Sequence, residues 1–127
     1  MDLEWLAGTA DHNPPVLHYR DRTGADRQWI EKHASYRRLE EVAFGEYGHA
    51  AMSHKAGVLG WPEKMPPLVK YAITYLYVQA EFGVCCPLSM TDAAARTISK
   101  FADPALAARY LPGLTGQDLD KIGRAHV

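Results

Sequence analysis

Residues 81–95 read EFGVCCPLSMTDAAA. The stretch holds two adjacent cysteines, Cys85 and Cys86, then Pro87, then helix-start chemistry: Ser89 or Thr91 as a cap and Asp92 in the first turn. Gly83 suits the position just past a preceding helix, and Pro87 predicts a break before the next one. The thiols are read either as a redox or soft-metal pair, or as small side chains at a corner between two helices. The corner is the better reading. A disulfide between neighbours is strained, because the bond prefers Cα atoms about 5.5 Å apart. Zinc requires a tetrahedral ligand set with spaced cysteines, which this chain lacks. Reduced thiols in a cytosolic protein are expected.

Working outward, 68–82 reads LVKYAITYLYVQAEF behind Pro66-Pro67, which fit a first helical turn. Past Lys70 this helix is apolar almost all round, so it is expected to be covered on more than one side. A chain of 127 residues offers little to cover it, which places part of its partner in missing sequence or on another chain. Downstream, Met90, Ala94, Ile98 and Phe101 form an apolar stripe, and Asp103-Pro104 opens a short helix that Pro112-Gly113 is expected to stop. Upstream, Tyr36, Leu39, Val42, Ala43 and Tyr47 recur at helical spacing over 34–47, and Gly57, Gly60, Trp61 and Pro62 predict a loop. Residues 16–20 and 28–31 flank Asp21-Arg22-Thr23-Gly24 as a small hairpin, and 2–6 look like the end of a short helix closed by Gly8. The expected class is all-α with one extended hairpin near the N-terminus.

Composition excludes several functions. Hydrophobic residues make up 47%, and 14 basic against 15 acidic residues give a net charge of -1 with no basic run, so no nucleic-acid surface is expected. No apolar run approaches the roughly 18 residues of a membrane span. His49 and His54 are five apart, which does not put both on one helical face, and the remaining histidines are scattered, so no metal site is expected. Phosphate-cradling glycine loops and serine-nucleophile motifs do not occur.

The segment CCPLSMTDAAARTISKFADPALAARYLPGLT resembles the last two helices of the amino-terminal helical domain of acyl-CoA dehydrogenases, down to the phrase Tyr110-Leu111-Pro112-Gly113-Leu114. Asn13-Pro14-Pro15, Tyr19 with Gly24 one residue later than the family spacing, and Cys86-Pro87-Leu88-Ser89-Met90-Thr91 are similar to one branch, the alkylation-response (adaptive-response) flavoproteins. The resemblance covers about residues 8–115. It implies a parent in which FAD lies between this helical domain, a β-domain and a four-helix bundle. The implied reaction is α,β-dehydrogenation of an acyl-CoA thioester: a carboxylate takes the α-proton and the flavin accepts a hydride. It also implies that Leu88, Ser89 and Asp92 line the acyl cavity, although an acidic residue there is unusual and Asp92 has the alternative of capping its helix. The family's flavin-contacting segment and catalytic glutamate have no counterpart in this sequence, and relatives carry residues ahead of its start. The resemblance therefore implies that residues 1–120 are a partial helical domain, unable alone to hold FAD or to catalyse. The parent is expected to be a cytoplasmic homo-oligomer, a tetramer. The alternatives are a flavoprotein that binds and protects DNA in the alkylation response, and a stand-alone helical interaction module.

Residues 121–127 stand apart. IGRAHV, at 122–127, resembles one reading frame of a sequencing-library adapter. On that reading the tail carries no fold information.

Overall fold

Asp2 opens the first helix by accepting a hydrogen bond from the Glu4 amide at 2.9 Å. In the computed structural model, which describes residues 2–119, this helix α1 runs Leu3–Asp11, straight through Gly8. The sequence predicted its end at Gly8; instead the chain leaves at His12 and Asn13, whose side chains bond the Gly8 and Thr9 carbonyls. The expected tail at 121–127 lies outside the described residues.

Strands β1 (Val16–Arg20) and β2 (Asp26–Glu31) pair antiparallel as the sequence predicts. Asp21 organises the turn: its Oδ1 accepts from the Thr23 amide at 2.8 Å, the Thr23 hydroxyl at 2.6 Å and the Ala25 amide at 3.1 Å. Gly24 has φ +88°, a conformation that glycine reaches without strain. His18 pairs with Trp29 but Arg20 with Asp26, so β2 holds an extra residue, and Gln28 takes φ +45° at that bulge. Leu17, Tyr19 and Ile30 are exposed on the hairpin. Residues 1–39 and the chain from Glu40 onward form two separate compact units.

Helix α2 (Ala34–Glu40) continues into a π-helical segment, Glu41–Glu46. The wide turn shows in the Tyr47 amide, which reaches back five residues to the Val42 carbonyl at 2.8 Å. Leu39, Val42 and Ala43 are buried as their spacing predicts, and the π turn adds Phe44. The segment after it, expected as a loop, supplies the core of the second unit. Ala51, Met52, Val58 and Met65 cluster there, with Tyr47, Val69 and Ile73 packed against them. Gly48, at φ +59°, lets Gln117 approach so closely that an added Cβ would sit 2.7 Å from its Nε2; the same nitrogen donates to the Gly45 carbonyl at 2.7 Å.

Helix α3 is Pro67–Ala80, with Pro67 at its first position. Its inward residues are Lys70 and Tyr77, while Leu68, Tyr75 and Leu76 point outward at 68–83% exposure and Tyr71 is 59% exposed at the edge between the two faces. The polarity of this helix is inverted. The expected apolar face exists, and among the described residues nothing covers it.

Helix α4 is Cys85–Phe101, which corrects the predicted corner. Gly83 does not take a left-handed conformation; the turn is Glu81–Val84, closed by the Val84 amide on the Glu81 carboxylate at 3.1 Å. Both cysteines belong to the helix. Pro87 sits third within it, where a missing N–H removes no intrahelical bond. The buried face is Leu88, Thr91 and Ala95 rather than the predicted stripe, of which Met90 and Phe101 are exposed and Ala94 and Ile98 half-buried. Helix α5, Pro104–Leu114, is capped by Asp103, whose carboxylate accepts from the Ala105 and Leu106 amides at 3.0 Å. It passes through Pro112 instead of stopping there, and ends two residues later at Leu114. The architecture is all-α apart from the hairpin, as predicted. No helix among the described residues is long and apolar enough to cross a membrane.

Gly48→Ala is expected to destabilise the protein by about 2 kcal/mol, because the new methyl group must displace Gln117 or Val58 at a backbone angle hostile to side chains. Urea denaturation of the two forms measures this.

Candidate functional site

Helices α3 and α4 enclose between them a cavity of about 250 Å3, open on one side. Leu88, Ser89 and Asp92, the three residues singled out in the sequence, all line it. They share one face because 88, 89 and 92 follow the helical step. Tyr71 and Thr74 face them from α3, Phe82 closes the corner, and Cys85 and Cys86 complete the α4 side.

The polar floor of the cavity is a buried charge network. The Asp92 Oδ1 accepts from His54 Nε2 at 2.6 Å, and its Oδ2 from the Lys70 ammonium at 2.5 Å. Lys70 and His54 side chains are 6% and 11% exposed, so the pair is removed from water. Burial by itself raises the Asp92 carboxyl, but the hydrogen bonds from Lys70 and then His54 outweigh it and hold the group below its ordinary value. Asp92 does not cap its helix. It lies eight residues into α4, because that helix starts at Cys85 and not after Pro87.

Lys70, His54 and His49 were not legible as site residues. Lys70 had a signal: it falls on one stripe with Ile73, Thr74 and Tyr77, the inward side of α3. The histidines had none, since neither lies on a helix and their meeting with α3 and α4 is long-range. His49 Nδ1 lies 3.2 Å from the Ala43 carbonyl, freed by the π turn, and the ring packs 5.1 Å from Tyr77. Its Nε2 is fully enclosed without a well-formed hydrogen bond. Burial lowers its basicity, and the nearby Lys70 charge acts in the same direction.

The cavity is built to bind. Both Asp92 oxygens are engaged, and the Cys85 thiol is held protonated by burial, by the Glu81 carboxylate and by Cys86. Both cysteines are free thiols. Among the described residues no cluster of three or more His, Cys, Asp or Glu is arranged to hold a metal.

Lys70→Met alone is expected to cost roughly 3–5 kcal/mol, because it strands a buried carboxylate; the K70M/D92N pair recovers much of that loss. Urea denaturation of the single and double variants checks this. Acidification should act in two stages. His49 binds protons less readily folded than unfolded, so stability falls as pH drops below its ordinary 6.5. The Asp92 contribution is present above its ordinary 3.8 and is lost as pH falls further. His49→Phe should remove the first stage and Asp92→Asn the second in denaturation midpoints taken across pH.

Comparison with known proteins bears on the whole chain. A family model described as the adaptive response protein AidB N-terminal domain matches residues 2–121. The solved structure described as "Bd2924 apo-form" is 31% identical, with a TM-score of 0.78 over 95% of this chain. The match spans 23% of that protein's length. A search of curated proteins finds no match. The inverted helix, the cavity behind it and a match over 2–121 agree: the chain belongs to the AidB N-terminal domain family, within the acyl-CoA dehydrogenase-like flavoproteins.

Proposed function

We propose that this chain is the amino-terminal wall of an FAD-dependent, acyl-CoA dehydrogenase-like oxidoreductase of the cytoplasm, and that its cavity receives the acyl group of a CoA thioester. The observation that carries this reading is the α3–α4 cavity itself. Leu88, Tyr71, Phe82 and the cysteine side chains give it mostly apolar walls, suited to a hydrocarbon chain, and it is open on one side where a further wall can close it.

The described residues do not themselves fit FAD. A dinucleotide needs free backbone N–H groups for its pyrophosphate. At the start of α4 the Cys85 and Cys86 amides are engaged by the Phe82 and Gly83 carbonyls, and Pro87 has none. The cavity, at about 250 Å3, is also small for a flavin. FAD is therefore held by the remainder of the parent, where it supplies the two-electron oxidation. This chain contributes binding and exclusion of water: the apolar walls take the acyl chain, and the Asp92 network keeps the floor rigid. The outward faces of α3 and the hairpin are covered by the remainder of the parent and by other subunits of a homotetramer.

The test uses the full-length protein containing this chain, purified with its flavin. Anaerobic addition of acyl-CoA is expected to bleach the flavin absorbance. Ser89→Trp, which fills the cavity from an exposed position, is expected to weaken acyl-CoA binding roughly tenfold or more. A flavin that no acyl-CoA reduces or perturbs, in a protein that binds duplex DNA in a salt-dependent way, sinks the reading in favour of DNA protection.

A further inference from the structure

The Lys70 ammonium carries three N–H donors, and among the described residues it has one acceptor, Asp92 Oδ2. It lies 5.5 Å from the Tyr71 ring centroid. Asp92 and Tyr71 both line the α3–α4 cavity, so the ammonium sits on the cavity wall. Its side chain is 6% exposed and lines the cavity, so the remaining donors are open to whatever occupies that space. Buried donors call for acceptors.

Several other polar groups of the wall are engaged within the protein. The Thr74 hydroxyl donates to the Lys70 carbonyl at 2.9 Å, the Ser89 hydroxyl to the Cys86 carbonyl at 2.9 Å, and both Asp92 oxygens are bonded. The enclosed His49 Nε2 has no exposed surface for a ligand to touch. Lys70 is therefore the charged donor of the cavity with capacity to spare. Its charge is balanced by Asp92, so a ligand carboxylate would meet an uncompensated repulsion from the same aspartate. A neutral oxygen would not.

We propose that Lys70, locked in place by Asp92, is a specificity-determining residue of this cavity and selects acyl groups that carry a neutral oxygen, as a keto or hydroxyl substituent, over plain hydrocarbon chains. This rests on the cavity being the acyl site. A plain chain leaves the ammonium donors facing hydrocarbon, and sites with such unpaired groups reject the analogue that cannot satisfy them. Asp92 acts through Lys70 as a positioning residue, and His54 fixes Asp92 in turn.

The experiment titrates the full-length flavoprotein with hexanoyl-CoA, 4-oxohexanoyl-CoA and 5-oxohexanoyl-CoA, following the flavin spectrum. One of the oxo compounds is expected to bind roughly tenfold tighter than hexanoyl-CoA, and the ratio to fall to about one in K70M/D92N. Equal or weaker binding of both oxo compounds by the unaltered protein overturns the inference and leaves the acyl-CoA reading standing; water then serves Lys70. A preference that survives in the double variant also overturns it, since some other group must then provide it. If none of the three perturbs the flavin, the acyl-CoA reading fails and takes this one with it. The comparison within the unaltered protein is decisive even where the double variant folds poorly.

Discussion

The second unit is organised around one carboxylate. Asp92 joins three pieces of chain: its own helix, the start of α3 through Lys70, and the turn that carries His54. The partners are 22 and 38 residues away in sequence. Each of these groups would be intolerable inside the protein alone, because an unpaired buried charge costs several kcal/mol. Together they fix the depth at which α3 and α4 approach, and so the floor of the cavity between them. An apolar replacement can pack as stably, but it gives neither fixed register nor a polar point on an otherwise apolar wall.

That arrangement explains the inverted polarity of α3. Its one cation is drawn inward by Asp92, and this turns Leu68, Tyr75 and Leu76 outward. A surface helix of a finished domain shows the opposite pattern. The helix thus has two faces, one on a polar floor within this chain and one apolar and exposed, which is what the proposed role as an inner wall requires.

Much of this was legible in the sequence, for identifiable reasons. The hairpin, the capped start of α5 and the proline-led start of α3 are local, written in neighbouring residues, and were read correctly. Leu88, Ser89 and Asp92 were placed by family resemblance, and they share a cavity. The illegible parts are the non-local ones. Pro87 and Pro112 look like breakers; only the observed start of α4 shows that Pro87 falls in a first turn, where a missing amide does little harm, and α5 carries Pro112 two residues from its end. Residues 48–65 look like a loop because glycine and proline punctuate them, yet Ala51, Met52, Val58 and Met65 are core. No period announces them, since irregular backbone buries side chains at irregular intervals. The buried face of α4 differs from the predicted stripe in part at Thr91, which was read as a helix cap and is instead buried within the helix, its hydroxyl donating to the Pro87 carbonyl at 2.8 Å.

The π turn at Glu41–Glu46 has a consequence of a different kind. A wide turn is what a helix looks like after it has absorbed a single-residue insertion without breaking, and such an addition rephases everything downstream by about 100°. Here it frees the Ala43 and Gly45 carbonyls, which then receive His49 and Gln117. Deleting one residue from this turn would restore an ordinary helix and swing Gly48, His49 and the core behind them out of phase. Length, and not only composition, is therefore under constraint in this stretch, and gaps in comparisons between relatives should avoid it while falling freely in the hairpin turn.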